Sequence, residues 1–185
     1  MRFQQVEVAT QELALARLAE QTKRTMSAPI VRQTVLSILA DCPSRDDLCE
    51  INAIFNAVKN GDPRVASLAR GFKYVADPKH LDYFVSPERN LEWCAQGACG
   101  GDCDDHTALI CALAGMAGFS VGMRIWGPDP GLNEFSHVYA VVGYPKRGGS
   151  GSKIMGMDTT VETSKPGWEP PKGRVKTAWI IPLRG

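Results

Sequence analysis

Cys103 stands in the run Gly100-Gly101-Asp102-Cys103-Asp104-Asp105-His106, immediately ahead of a long apolar stretch. A thiol placed there opens a helix. Exposed backbone N–H groups at that end carry partial positive charge and are expected to lower the thiol's pKa towards the reactive thiolate. His137 opens the apolar run His137-Val138-Tyr139-Ala140-Val141-Val142, and Asp158 closes the run Ile154-Met155-Gly156-Met157-Asp158. Cysteine, histidine and aspartate in that order supply a nucleophile, a general base and an orienting carboxylate. Asp104 and Asp105 oppose a thiolate, so the imidazole is expected to provide most of the activation. The oxyanion of an acyl transfer would rest on the Cys103 backbone N–H and the Gln96 side chain.

Each residue also has an ordinary structural role open to it. A cysteine near a helix start packs as a small hydrophobe. A histidine that begins a strand is a satisfied structural residue, and an aspartate ahead of Thr159-Thr160 caps a turn. Their joint occurrence in one order, each at an element boundary, favours chemistry. A metal-binding alternative uses Cys94, Cys99, Cys103 and His106, spaced Cys-x4-Cys-x3-Cys-x2-His. These are zinc-type ligands, although the spacing matches no common knuckle. The expectation is no metal and no other cofactor.

The elements that must position these residues follow from periodicity and breakers. Phe3 to Val8 alternates loosely, as a short strand would. Thr10 is a candidate N-cap for a helix over Gln11 to Arg24. Pro29 suits the first turn of a helix running to Ala40. Ser44-Arg45-Asp46-Asp47 resembles a capping box with Asp in place of Glu, opening a helix to about Asn60. Arg64 to Val75 is ambiguous between helix and strand, and Asp77-Pro78 is a turn. Ser86-Pro87-Glu88 predicts a short helix to Cys94, followed by a glycine-rich loop over Gln96 to Gly101. The Cys103 helix runs to about Met116 with Leu109, Ile110, Leu113 and Ala114 buried, and Gly118 stops it. The period then becomes strand-like. Strands are expected at Ser120–Trp126, His137–Gly143, Lys153–Asp158 and Thr177–Leu183. Helices first and strands later imply an α+β fold, one domain over residues 1–185, with the helical part at about 10–117 and an antiparallel sheet at about 119–183.

The chain has 185 residues, 44% of them hydrophobic and 22% charged, with a net charge of +1. Those are the proportions of a globular protein with a substantial core. The charge balance argues against a nucleic-acid or anionic-lipid partner; the basic stretch around Lys165, Lys172, Arg174 and Lys176 reads as a solvated loop. No stretch reaches the roughly 18 apolar residues of a membrane span. The first residues lack a signal-peptide core. A cytoplasmic, reducing location is therefore expected, with the six cysteines as thiols instead of a disulfide framework. Cys111 falls on the apolar face of the Cys103 helix.

The segment Gly101-Asp102-Cys103-Asp104-Asp105-His106-Thr107-Ala108-Leu109-Ile110-Cys111-Ala112-Leu113, ending in Ala117-Gly118-Phe119, resembles the nucleophile helix of the transglutaminase-like superfamily. His137-Val138-Tyr139 is similar to its His-Ala-aromatic strand, with Tyr139 in place of the common Trp. Asp158-Thr159-Thr160 is similar to its Asp-Pro-Thr strand end, with Thr159 in place of Pro. Upstream, Phe72 to Pro78 and Phe84 to Glu88 resemble the lead-in of bacterial and phage-encoded members. The resemblance covers about residues 45–165. It implies a papain-like α+β fold with Cys103 as nucleophile, His137 as general base and acid, and Asp158 as orienting carboxylate. It also implies a protein or peptide amide substrate, either hydrolysed or transferred to an amine. Non-catalytic members make an interaction domain, for example in a phage particle with a virion partner, the alternative reading.

Overall fold

A computed structural model describes residues 2–77, 84–129, 131 and 134–184, with the helix backbone alone over residues 2–10. Pro78, in the expected Asp77-Pro78 turn, lies outside them. Among the described residues, five helices precede a four-stranded antiparallel sheet. The α+β expectation holds at this level.

The chain begins with α1 (Arg2–Thr25). This corrects two expectations: Phe3 to Val8 is helical, not a strand, and Thr10 lies within the helix instead of capping it. No glycine or proline interrupts residues 2–25, so nothing stops helix propagation there. Next come α2 (Pro29–Ile38) and α3 (Asp47–Lys59). The cap of α3 is Asp46, whose carboxylate accepts from the Cys49 N–H at 2.9 Å, not Ser44. The ambiguous segment resolves into a 3-10 turn at Ala66–Leu68 and a short strand β1 (Lys73–Tyr74). A fourth helix, α4 (Pro87–Ala95), starts on its proline as predicted. A two-residue strand β2 (Gly100–Gly101) pairs in parallel with β1 and leads into α5 (Cys103–Met116).

The sheet contains β3 (Ser120–Gly127), β4 (His137–Tyr144), β5 (Lys153–Met157) and β6 (Arg174–Ile181), ordered β5-β4-β3-β6. Helix α5 packs on β4 and β3 and is enclosed by α1, α2 and α3. It is apolar on nearly every face, and residues 105–114 are all buried, as a helix at the centre of a core must be. Leu109, Ile110 and Leu113 are fully buried, each contributing about 1.5–3 kcal/mol of transfer free energy. Gly118 ends α5 with φ +98°. Asp158 follows β5 directly, and the segment after it folds back over the outer face of the sheet. Gly156 permits this: a Cβ there would lie 2.1 Å from the Trp168 carbonyl oxygen.

Two disulfides, Cys42–Cys49 and Cys94–Cys99, replace the expected thiols. The first joins the chain after α2 to the opening turn of α3, and the second closes the turn after α4. Only Cys103 and Cys111 are free. The expected reducing compartment implied six free thiols, and the two disulfides contradict that consequence. No described helix is long and apolar enough to cross a membrane.

Candidate active site

Asp102 caps α5, its carboxylate accepting from the Asp104 N–H at 3.1 Å. Cys103 is thus the first helical residue, and it is half-buried. Gly101 keeps the approach to the helix tight: a Cβ on it would lie 2.2 Å from Asp105 Oδ2. One turn on, Thr107 Oγ1 lies 2.7 Å from the Cys103 carbonyl and 3.1 Å from the Val138 carbonyl. That hydroxyl ties the start of β4 to the first turn of α5. The sulfur sits against the Val138 and Cys103 N–H groups, both of which favour a thiolate.

His137 is the first residue of β4, paired with Trp126 on β3. Its ring stacks on Tyr139, with centroids 6.0 Å apart. The neighbouring pair of Ala140 with Met157 brings the end of β5 alongside, and there His137 Nε2 meets Asp158 Oδ2 at 2.6 Å. The other carboxylate oxygen accepts from the Thr160 N–H at 2.9 Å and the Thr160 hydroxyl at 2.7 Å. Burial pushes the Asp158 carboxyl up, but the bonds from His137 and Thr160 outweigh it and hold the group below its ordinary value. An ionised carboxylate only accepts, so Nε2 carries a proton towards Asp158 and Nδ1 is the nitrogen on the other side of the ring.

The thiol departs from the expectation of a lowered pKa. Burial, and then the Asp102 charge, push Cys103 up to about 11, and the flanking N–H groups recover only part of the difference. The resting sulfur is protonated at neutral pH. Among the described residues no hydrogen bond joins it to the imidazole. Burial likewise keeps Asp104 protonated, pushed up to about 9, and moves Asp105 up to about 6.

Cys103 and His137 line two cavities together. The larger, about 550 Å³, lies under α1 and is bounded also by Gln11, Arg17, Asp102 and Phe135. Gln11 holds this wall, its amide donating to the Phe135 carbonyl at 3.0 Å. The smaller, about 370 Å³, is walled by Tyr74, Trp126, Trp168, Pro170 and Pro171 and has no charged carboxylate or ammonium group in its lining. Gln96 lies elsewhere: it is exposed at the C-cap of α4 and lines neither cavity. The Val138 N–H, unforeseen in the sequence, sits nearer the sulfur.

The zinc arrangement does not form. Cys94 and Cys99 are bonded to each other, which removes two of its four ligands, and His106 turns its Nδ1 to the Thr159 hydroxyl at 2.8 Å. Asp102, Asp104 and Asp105 bring carboxylate oxygens within 4.8 Å of one another, the one grouping among the described residues able to hold a cation. Asp102 already caps the helix, and Asp105 accepts from the Val85 N–H and the Asn90 amide.

No protein family, no curated protein and no solved structure matches the chain.

Proposed function

We propose that the protein is a cysteine-dependent acyl-transfer enzyme that cleaves an amide, with hydrolysis as its ordinary outcome. The observation that carries this reading is the 2.6 Å bond between His137 Nε2 and Asp158 Oδ2, behind a ring that shares both its cavities with Cys103. Asp158 orients the ring and stabilises it once charged, and the free Nδ1 is the nitrogen available to the thiol. Because the sulfur rests as a thiol, His137 acts as general base during attack and not as one half of a standing ion pair. Sulfur bonds to the amide carbon, the thiol proton passes to His137, and the tetrahedral oxyanion takes hydrogen bonds from backbone N–H groups at the α5 start. His137 then protonates the leaving amine. Water, entering with His137 again as base, resolves the thioester. A substrate spanning the two cavities places its acyl and amine portions on opposite sides of the sulfur. A papain-like arrangement of helix and sheet, and a peptide or protein amide substrate, belong to the same proposal.

The test is incubation with a casein digest as a pool of peptide amides, followed by mass spectrometry for new termini and an ammonia assay. Hydroxylamine intercepts the thioester as a hydroxamate. Wild-type protein yields one of these products. Cys103→Ala yields none and retains its circular dichroism spectrum, and His137→Gln loses about 10²–10⁴-fold in rate. Turnover by Cys103→Ala equal to wild type rejects the proposal.

A second reading, a non-catalytic interaction domain, is favoured by the thiol's upward shift. It requires that wild-type protein give none of these products.

A further inference from the structure

Histidine 106 is one of the chain's most buried polar residues, 2% exposed, yet the proposed reaction does not touch it. Its Nε2 is buried towards the Lys73 backbone, without a hydrogen bond of full geometry. Phe72 meets its ring edge-on at a centroid distance of 4.8 Å, and Tyr74 lies at 6.4 Å. An apolar ring would fill this pocket without burying ring nitrogens, which cost free energy unless they are well bonded. Histidine adds a bond between Nδ1 and the Thr159 hydroxyl, 2.8 Å across a buried contact between residues 53 positions apart.

Thr159 occupies a particular place. The residue before it supplies the carboxylate behind His137, and the residue after it gives that carboxylate two hydrogen bonds. Fixing the Thr159 side chain therefore fixes the peptide that aims the carboxylate. A second anchor holds the same segment farther on. The Ser164 hydroxyl lies 2.5 Å from the Asp158 carbonyl, and Lys59 Nζ donates to the Val161 and Ser164 carbonyls at 2.7 Å. That anchor comes from α3. The Thr159 bond comes from α5, three residues beyond the sulfur.

We propose that His106 is a positioning residue: through Thr159 it locks the Asp158 turn to the helix that carries Cys103, so that one rigid element sets sulfur and carboxylate on either side of the His137 ring. This deepens the acyl-transfer reading and rests on it for its purpose, though not for its geometry. A helix turn is stiff, whereas the Asp158 segment is a loop. Coupling the two restricts the angle at which the carboxylate meets Nε2.

The experiment compares Thr159→Val, which keeps the shape and loses the hydroxyl, with Thr159→Ser, which keeps the hydroxyl. The first readout is the downfield proton resonance of the His137 Nε2–H···Asp158 bond, assigned by its loss in His137→Gln; it needs no substrate. The second is kcat against KM on whichever casein-derived amide the wild type cleaves. Thr159→Val is expected to broaden or lose the resonance and to lower kcat about 100-fold with KM little changed; Thr159→Ser is expected to restore both. An unchanged resonance in Thr159→Val overturns the proposal. Should that variant not fold, His106→Asn, whose amide reaches the place of Nδ1, is set against His106→Gln, whose amide does not. Retention of the resonance by the first alone supports the proposal, and equal behaviour of the two overturns it. If the resonance responds as expected while wild-type protein turns over nothing, the positioning role stands and the acyl-transfer reading fails.

Discussion

At the residue scale the site is a contest between burial and local dipoles at one sulfur. The start of α5 offers N–H groups, but the half-buried sulfur and the Asp102 carboxylate leave the thiol up at about 11. The reactive thiolate fraction falls about tenfold for each pH unit below the folded pKa. Alkylation of Cys103 by iodoacetamide is therefore expected to be slow at pH 7 and to climb through pH 9 towards 11, read by peptide mass spectrometry. A plateau below pH 8 would show that the α5 dipole or His137 activates the sulfur before substrate arrives. Cys111, fully buried and also shifted up, stays unlabelled in the folded protein at every pH. Asp158→Asn keeps the shape but replaces an acceptor-only carboxylate with an amide. It is expected to lower turnover by up to about 10⁴-fold, as loss of an orienting carboxylate can; a loss under tenfold would remove Asp158 from the mechanism.

At the element scale, α5 carries two buried titratable groups that respond to acid in opposite senses. Burial lowers His106 from its ordinary 6.5 to about 4, although the Lys73 backbone, Asp158 and Asp102 pull the other way. Its contribution to stability is complete above pH 6.5 and is lost as pH falls through about 4. Asp105 is raised from 3.8 to about 6, chiefly by burial. Its contribution is complete below pH 3.8 and is lost as pH rises through about 6. The urea midpoint of wild type relative to His106→Phe is expected to be constant above pH 6.5 and to fall as pH drops from 6.5 towards 4. A separation that is constant across that range would contradict the burial of a neutral imidazole. The same elements show what a sequence can and cannot announce. Helix α5 and the four long strands were legible because the hydrophobic period changes from helical to alternating after Gly118, and because Pro87 and Gly118 mark ends. Strand β6 starts at Arg174 instead of Thr177 since exposed edge residues carry no alternation to read. The helix over Gln11 to Arg24 was legible, but its start was misread, because two or three alternating residues in a breaker-free run say little about their period. His106 entered the metal-binding alternative because spacing gives proximity along a helix and not the direction of a ring nitrogen.

At the scale of the whole molecule, the helical layer supplies the sulfur and the sheet supplies its partners, joined across the Thr107, Val138 and Thr159 contacts. That division was legible: Cys103 heads a helix, while His137 and Asp158 lie at the ends of neighbouring strands. The disulfides were not, since pairing depends on closure in space, which spacing along the chain does not give. Both close short loops, with sequence separations of 7 and 5, so each is expected to contribute about 2 kcal/mol by restricting the unfolded chain. Denatured but unreduced protein should show two thiols, and reduction should lower Tm by about 10 °C. Six thiols in protein purified under air would contradict the pairing.

The central claim is that Cys103, His137 and Asp158 act together on an acyl group. Its most direct test is stopped-flow reaction with a p-nitrophenyl ester, quenched for peptide mass spectrometry. The account predicts a burst close to one equivalent of p-nitrophenol per chain, with the acyl mass on the Cys103 peptide. The burst is absent in Cys103→Ala and slowed in both His137→Gln and Asp158→Asn. A burst that survives in Cys103→Ala, or acyl mass on Cys103 that forms equally fast without His137, would contradict it.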